Sequence, residues 1–233
     1  MEDVILIVAL LFFAMHVLAF AEPRESKRKI GVIVVDVQGD FSAAKAGSLA
    51  VEGTDQSFID KVVKATSGLM SKGYVIFATQ DWHPSDHISF YTNHSGKKAF
   101  DVIRINGRTQ VLWPPHCVQN TENANLLLDQ ELFQAIVKKG KDKRFDSYSG
   151  FKDDGGATTG MDGLLRRHGI KKLIIYGIAT DYCVKATAID AADAGYKVTV
   201  IEGLCRGVAP QTTAVALQEM KERGIKLETA LRG

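Results

Sequence analysis

Short apolar runs alternate with amphipathic stretches along most of the chain. Ile30–Val35 is a run rich in β-branched residues, which is typical of a strand buried on both faces. Residues 56–72 place apolar side chains at helical spacing, and Gly73 stands where a helix would end. Further predicted strands cover 74–79, 172–176, 197–201 and 226–230, and further predicted helices cover 161–168, 181–193 and 210–223.

This alternation of strands and helices predicts an α/β fold built from right-handed βαβ units. We expect three layers, α/β/α, with a mostly parallel central sheet, in one domain over residues 27–233. Ligands of such sheets bind beyond the carboxyl ends of the strands. The chemistry should therefore follow Val35, Thr79 and Tyr176.

The first 21 residues have a different pattern from the rest of the chain. Residues 4–21 are apolar except for His16, and Ala19-Phe20-Ala21 fits the small-x-small cleavage rule of secretory signals. We interpret residues 1–21 as a signal peptide, which predicts an exported protein, periplasmic or secreted. Acidic Glu2 and Asp3 precede the run and basic residues follow it, so a membrane anchor through residues 4–21 is the alternative.

The amino-acid composition and net charge indicate which class of molecule this protein binds. The chain has 233 residues, 45% hydrophobic and 24% charged, which excludes a disordered or collagen-like protein. The net charge is +2 with scattered Lys and Arg, so nucleic acid is not expected and a small molecule is. The three cysteines, Cys117, Cys183 and Cys205, form no CxxC pair and no disulfide framework. A homo-oligomer is left open.

One carboxylate and three imidazoles have the spacing of a metal site. Asp81 and His83 are two residues apart in an extended segment, so they point to the same side. His87 follows across a turn with Pro84, and the proline-rigid loop 113–117 supplies His116. Asp81, His83, His87 and His116 suit one divalent ion, Zn, Fe or Mn.

Cys183 follows a predicted strand and stands in the first turn of a predicted helix. The partial positive charge and free N–H groups at that point predict a lowered pKa for the thiol and a place for an oxyanion. Asp36, at the mouth of the first strand, is the candidate base. Lys138, Lys139 and Lys141 are candidate charge partners, and sequence physics alone leaves the choice open, because this charged stretch also reads as a solvated loop.

Taken together, these motifs resemble the nicotinamidase/pyrazinamidase branch of the isochorismatase-like cysteine hydrolases. The resemblance extends from Lys29 to the C-terminus and rests on five motifs in the same order. They are residues 34–41 (VVDVQGDF), 81–84 (DWHP) with His87, 113–117 (WPPHC), 139–140 (KG) leading into 146–151 (DSYSGF), and 177–184 (GIATDYCV).

The resemblance implies an isochorismatase-like hydrolase fold and hydrolysis of nicotinamide, with pyrazinamide as a further substrate to be tested. It implies a catalytic triad of Asp36, Lys139 and Cys183, and so resolves the choice of lysine. It also implies an oxyanion hole from the backbone N–H groups of Ala179 and Cys183, with a cis peptide bond between Ile178 and Ala179. The implied metal ligands are Asp81, His83, His87 and His116, and the implied substrate-binding residues are Phe41, Trp113, Tyr148 and Ile178.

Two alternative functions remain at this point. One is a related amidase or isochorismatase-type hydrolase that works without metal, and the other is a catalytically silent periplasmic ligand-binding protein. The metal quartet disfavours the first, and the intact Asp36, Lys139 and Cys183 disfavour the second. Tyr182, directly before the nucleophile, stands where relatives often have histidine or another polar residue, and we expect it to affect the chemistry little.

Overall fold

The structure is a computed structural model that describes residues 29–105 and 107–232. The predicted signal peptide or anchor, residues 1–21, lies outside the described residues, as does the start of the predicted 27–233 domain. Within the described ranges, no helix combines the length and the apolar character needed to cross a bilayer.

A six-stranded sheet in the order β5-β2-β1-β6-β7-β8 forms the centre of the molecule, and every neighbouring pair is parallel. This confirms the predicted fold class. Its strands are β1 (Ile30–Val35), β2 (Val75–Asp81), β5 (Ala135–Lys139), β6 (Lys172–Ile178), β7 (Lys197–Arg206) and β8 (Lys226–Glu228). A separate antiparallel hairpin consists of β3 (Val102–Ile105) and β4 (Arg108–Val111).

In the part of the chain that the structure describes, four α-helices connect or flank these strands: α1 (Gln56–Ser71), α2 (Met161–Arg167), α3 (Lys185–Asp193) and α4 (Pro210–Glu222). Asp55 caps α1 by accepting a hydrogen bond from Phe58 N, and Pro210 occupies the first turn of α4, where a missing N–H costs nothing. Residues 32–35 of β1 are all fully buried, although successive side chains point to opposite faces of the sheet. Both faces are therefore covered, as the apolar run predicted.

The sequence pattern missed one strand of the main sheet. β5 has only three apolar residues, Ala135-Ile136-Val137, before two lysines, and a run so short gives little periodic signal. Three other strands continue past their predicted ends, to Asp81, Ile178 and Arg206. Polar Gln80 and Asp81 concealed the first extension, because they belong to the site, and Gly177 and Gly203 interrupt the apolar runs of the other two strands.

Gly177 permits the closest approach between β6 and β1. Its φ is +137°, and an added Cβ would collide with the carbonyl oxygen of Val35. We predict that Gly177→Ala lowers the free energy of unfolding by about 2–3 kcal/mol. Gly68→Ala is the matched control, because a Cβ at Gly68 in α1 meets nothing within 4 Å and should raise stability by about 0.5–1 kcal/mol. Denaturant unfolding measures both, and equal stability of the two variants would contradict the prediction.

Candidate active site

Four strands each deliver one chemical group to the same edge of the sheet. Asp36 follows β1, Asp81 ends β2, Lys139 ends β5, and β6 leads into the turn that carries Cys183. Asp81 and Lys139 are register partners across the β2–β5 pair. Parallel strands have their carboxyl ends on one side, so residues far apart in sequence meet here.

Lys139 is the centre of this group, with only 1% of its surface exposed. Its Nζ lies 2.9 Å from Asp36 Oδ2 and 2.5 Å from Asp81 Oδ1. It also donates to the carbonyl of Ser147 at 2.7 Å and to Cys183 Sγ at 3.4 Å. Burial alone would lower the pKa of Lys139, but Asp36 and Asp81 outweigh it and raise the pKa well above its usual value. The lysine is a permanent cation here.

The neighbouring Lys138 side chain is exposed, and its Nζ lies 3.5 Å from the centre of the Trp82 ring. Successive residues of β5 point to opposite sides, so only one of the two lysines can reach the buried carboxylates. The geometry therefore favours Lys139, in agreement with the resemblance. The alternative of a solvated loop fails for Lys138 and Lys139, because both belong to β5 and pair with β2.

Asp36 is fully buried and adopts a positive φ of 48°. Thr79 Oγ1 donates to its Oδ1 at 2.7 Å. Its Oδ2 lies near Lys139 Nζ but outside hydrogen-bond geometry, and receives no hydrogen bond among the described residues. Burial raises the pKa of Asp36, although Lys139 opposes the shift. A buried carboxylate with raised proton affinity and one open oxygen is suited to act as a base.

Cys183 lies in a single π-helical turn, Thr180–Val184, that runs directly into α3. The prediction of a lowered thiol pKa was wrong. Burial raises the pKa of Cys183 well above its usual value, and Asp36 and Asp81 add to the effect while Lys139 opposes it. Burial is the largest cause of this shift, and together with the two carboxylates it outweighs the favourable charge of Lys139. The resting group is therefore a thiol, and a base must take its proton.

The backbone before Cys183 has the predicted cis peptide bond between Ile178 and Ala179. Ala179 and Cys183 both line one small pocket, as expected if their backbone N–H groups form the oxyanion hole that the resemblance implies.

Asp81, His83 and His116 form a compact donor group, in which one ligand atom from each lies within 4.8 Å of the others. His83 Nδ1 lies 2.9 Å from the Gly140 carbonyl, and His116 Nδ1 lies 2.7 Å from the Pro114 carbonyl. A ring nitrogen that donates to a carbonyl leaves the other nitrogen, Nε2, with a free lone pair. This is how proteins usually orient imidazole ligands.

His87 does not join this donor group. Its ring lies 4.3 Å from that of His83, but its Nδ1 lies 2.7 Å from Ser89 Oγ and its Nε2 lies 3.1 Å from the Phe145 carbonyl. Both nitrogens thus have protein partners. The structure brings together three of the four predicted ligands, because the turn after Pro84 directs His87 towards residues 89 and 145.

The charges of the three-residue group fit a divalent cation. Burial lowers the pKa of His116 to about 4, so that ring is neutral, which is the form that binds metals. Asp81, despite its burial, is kept ionised chiefly by Lys139, whose charge lowers its pKa. Asp36 and Asp81 share the single ammonium of Lys139. The buried carboxylates thus outnumber that ammonium, and a cation at Asp81, His83 and His116 would balance them.

A narrow pocket opens beside these groups, and aromatic side chains form much of its wall. Of the predicted substrate-binding residues, Phe41, Trp113 and Tyr148 line it, whereas Ile178 is fully buried and does not. Trp113 Nε1 donates to Tyr148 Oη at 3.0 Å. The sequence did not predict the remaining lining residues outside the catalytic and metal groups, which are Leu49, Val51, Asp146, Tyr182 and Val208.

Three polar side chains that carry no predicted role hold the site together. The amide of Gln38 accepts from Asp81 N at 2.8 Å and donates to Asp81 O at 2.9 Å, which clamps β2 to the end of β1. Asp40 Oδ2 accepts from Cys117 N at 2.7 Å and fixes the loop that carries His116. Asp181 accepts from Val208 N at 2.9 Å, which ties a pocket wall to the nucleophile's turn. Sequence reasoning could have found these three residues, because they are polar and stand inside the matched motifs 34–41 and 177–184.

Comparisons with known proteins agree with this geometry. The Isochorismatase domain family model matches residues 31–230. A nicotinamidase of Escherichia coli is 44% identical over 203 residues, covering 85% of this chain and 93% of that protein.

Two solved structures are also similar. The yeast nicotinamidase bound to the inhibitor nicotinaldehyde has a TM-score of 0.76 and 34% identity, and the match covers 86% of this chain and all of that one, 100%. The pyrazinamidase of Pyrococcus horikoshii in complex with zinc has a TM-score of 0.71 and 38% identity, and the match covers 85% of this chain and 98% of that one. The chain therefore belongs to the isochorismatase family, within its nicotinamidase and pyrazinamidase branch.

Proposed function

We propose that this protein hydrolyses nicotinamide to nicotinic acid and ammonia through a thioester on Cys183, and that it also accepts pyrazinamide. The observation that carries the proposal is the contact of Lys139 with Asp36, Asp81 and Cys183, beside the imidazoles of His83 and His116. The similarity to nicotinamidases and to a structure with bound nicotinaldehyde supports this substrate class.

In the first half-reaction, Asp36 takes the thiol proton as Cys183 Sγ attacks the carboxamide carbon. The tetrahedral oxyanion accepts hydrogen bonds from the N–H groups of Ala179 and Cys183. The C–N bond then breaks, and Asp36 returns its proton to the leaving nitrogen, which departs as ammonia. In the second half-reaction Asp36 activates a water that attacks the thioester carbon, which releases nicotinic acid and the thiol.

Lys139 keeps these charges in place through both steps. Its ammonium lies between Asp36, Asp81 and the sulfur, so it stabilises negative charge on whichever of them carries it. The Lys139 ammonium also donates a hydrogen bond to the Ser147 carbonyl, which fixes its position further. Because these groups are buried and hold one another through ion pairs and hydrogen bonds, little reorganisation accompanies proton transfer.

Asp81, His83 and His116 would hold one divalent ion, Zn, Fe or Mn, with zinc supported by the similar pyrazinamidase structure. When bound, this ion would act as a Lewis acid for the ring nitrogen of the pyridine. Phe41 and Trp113 flank the pocket and give a planar ring two apolar surfaces. The same pocket carries Cys183, so a ring held there presents its carboxamide to the sulfur.

The assignment of Cys183 as nucleophile predicts a large loss of activity when this cysteine, but not another buried one, is replaced. Cys183→Ala should reduce ammonia release from nicotinamide by about a thousandfold or more. Cys205→Ala should leave it unchanged, because Cys205 is also buried but donates to the Ile201 carbonyl at 3.3 Å and does not line the pocket. Pyrazinamide should release ammonia, and benzamide, which lacks a ring nitrogen, should release far less. Wild-type protein with saturating metal that releases no ammonia from nicotinamide would refute the proposal.

The assignment of the metal ligands predicts that substitutions of different histidines affect metal affinity differently. His116→Ala should reduce metal affinity by about a hundredfold or more, since even outer partners of metal ligands are worth 10–100-fold. His94→Ala is the control, because His94 Nε2 bonds the Ile88 carbonyl away from the donor group. His87→Ala should retain most of the metal, because both its ring nitrogens are bonded elsewhere. The metal content per chain, measured after dialysis, distinguishes these outcomes. Equal loss of metal in the His87 and His116 variants would contradict the three-ligand site and support a site with four ligands.

We also propose that residues 1–21 direct export and are removed after Ala21. The support is the apolar run 4–21 with its small-x-small end. An exported enzyme of this kind would act on nicotinamide outside the cytoplasm. N-terminal sequencing of the protein from its native cell should begin at Glu22, and a start at Met1 would favour the anchored alternative.

A further inference from the structure

His116 is held on both sides by a part of the chain that lies far from it in the sequence. Its neighbours in the loop after β4 are Pro115 and Cys117. Ser48 Oγ donates to the Pro115 carbonyl at 2.7 Å, and Cys117 N donates to Asp40 Oδ2 at 2.7 Å. The backbone before and after this imidazole is therefore tied to two residues that follow β1.

One carboxylate connects these two contacts. Asp40 Oδ1 accepts from Ser48 N at 3.3 Å, and Ser48 Oγ lies 3.2 Å from the same oxygen. The other oxygen, Oδ2, accepts from Cys117 N. Only 8% of Asp40 is exposed, and a buried carboxylate is tolerated where such hydrogen bonds satisfy it. Asp40 thus joins the contacts that flank His116 into one unit.

Cys117 has a backbone conformation that depends on this support. Its φ is +47°, in the left-handed region that residues with a side chain rarely adopt. Such residues persist only where surrounding contacts fix them, and they are frequent at functional sites. The Cys117 carbonyl accepts from His83 N at 3.0 Å, and the rings of His83 and His116 lie 5.0 Å apart. The strained residue therefore connects two members of the three-residue donor group.

The segment that holds His116 also carries a wall of the pocket. We call residues 40–51 the strap, and its members that line the pocket are Phe41, Leu49 and Val51. The Phe41 ring lies 5.3 Å from the His116 ring. Leu49 N donates to the Asp40 carbonyl at 3.0 Å. The pocket wall and the donor group are thus fixed to each other at Asp40.

We propose that Asp40 is a positioning residue of the metal site, which holds His116 in the orientation that binds a divalent ion. Asp40 is not a member of the donor group, so it acts through Cys117 N and through Ser48. The inference rests on the metal site of the proposed function and adds a determinant of metal affinity outside the ligands. Partners that orient metal ligands contribute about 10–100-fold to affinity, and an effect through the backbone belongs at the lower end.

The variant Asp40→Asn tests this role. Asparagine has the same size but offers one acceptor oxygen and an NH2 group, so either Cys117 N or the Ser48 donors must face another donor. Zn2+ affinity, measured by competition with a chelator, should be about tenfold weaker than in the wild type. The absorption spectrum of the Co2+-loaded variant should also differ from that of the wild type, because the spectrum reports the ligand geometry.

Asp181→Asn is the matched control. Asp181 is also a buried carboxylate, 5% exposed, and accepts from Val208 N at 2.9 Å and Ala209 N at 3.3 Å. Neither partner is next to a residue of the donor group, so this variant should keep the wild-type Zn2+ affinity and Co2+ spectrum. A loss of stability alone would therefore not reproduce the result expected for Asp40→Asn.

A second variant, Ser48→Ala, removes only the hydroxyl that holds the Pro115 carbonyl. Ser48 is exposed, so the variant should fold, and its Zn2+ affinity should be about threefold weaker, as for the loss of one neutral hydrogen bond. It decides the question by itself if thermal unfolding shows that Asp40→Asn is not folded.

The outcomes separate this inference from the metal site on which it rests. Wild-type Zn2+ affinity in folded Asp40→Asn, or an equal loss in Asp181→Asn, would overturn the role of Asp40 and leave the metal site standing. Wild-type protein that binds no Zn2+ would overturn the metal site and this inference with it.

Discussion

The active site depends on one buried cation. Lys139 Nζ contacts Asp36, Asp81, the Ser147 carbonyl and Cys183 Sγ, and each contact comes from a different part of the chain. Removing one partner of a buried ion pair costs about 3–5 kcal/mol, because it leaves the other charge uncompensated. Here one ammonium compensates two carboxylates. The same interaction therefore fixes the ends of three strands and supplies the field in which the sulfur reacts.

This arrangement explains why Cys183 rests as a thiol. A turn at the start of a helix favours a thiolate, but burial of the sulfur opposes it more strongly and two nearby carboxylates add to the opposition, so the pKa is raised. Of these two carboxylates, Asp36 has a raised pKa and Asp81 a lowered one, so the proton of the thiol goes to Asp36. Nucleophile and base are coupled through Lys139, which touches both, so the site generates its thiolate only as the bond to carbon forms.

The two edges of the sheet have opposite chemistry. Carboxylates, imidazoles and one buried lysine gather at the carboxyl ends, where the pocket lies. Exposed lysines gather at the amino ends. Parallel strands separate these sets, because every strand contributes its start to one edge and its end to the other.

The sequence by itself determined the layered α/β fold and the strand ends at which Asp36, Asp81 and Cys183 lie, since apolar runs and helical spacing are local properties. The matched motifs then named the remaining site residues. Tertiary structure alone decided that Lys139 is buried, that His87 bonds protein groups, and that the pKa of Cys183 rises. These outcomes depend on which strands pair and on the summed field of distant charges, and neither is encoded in the neighbouring residues of the chain.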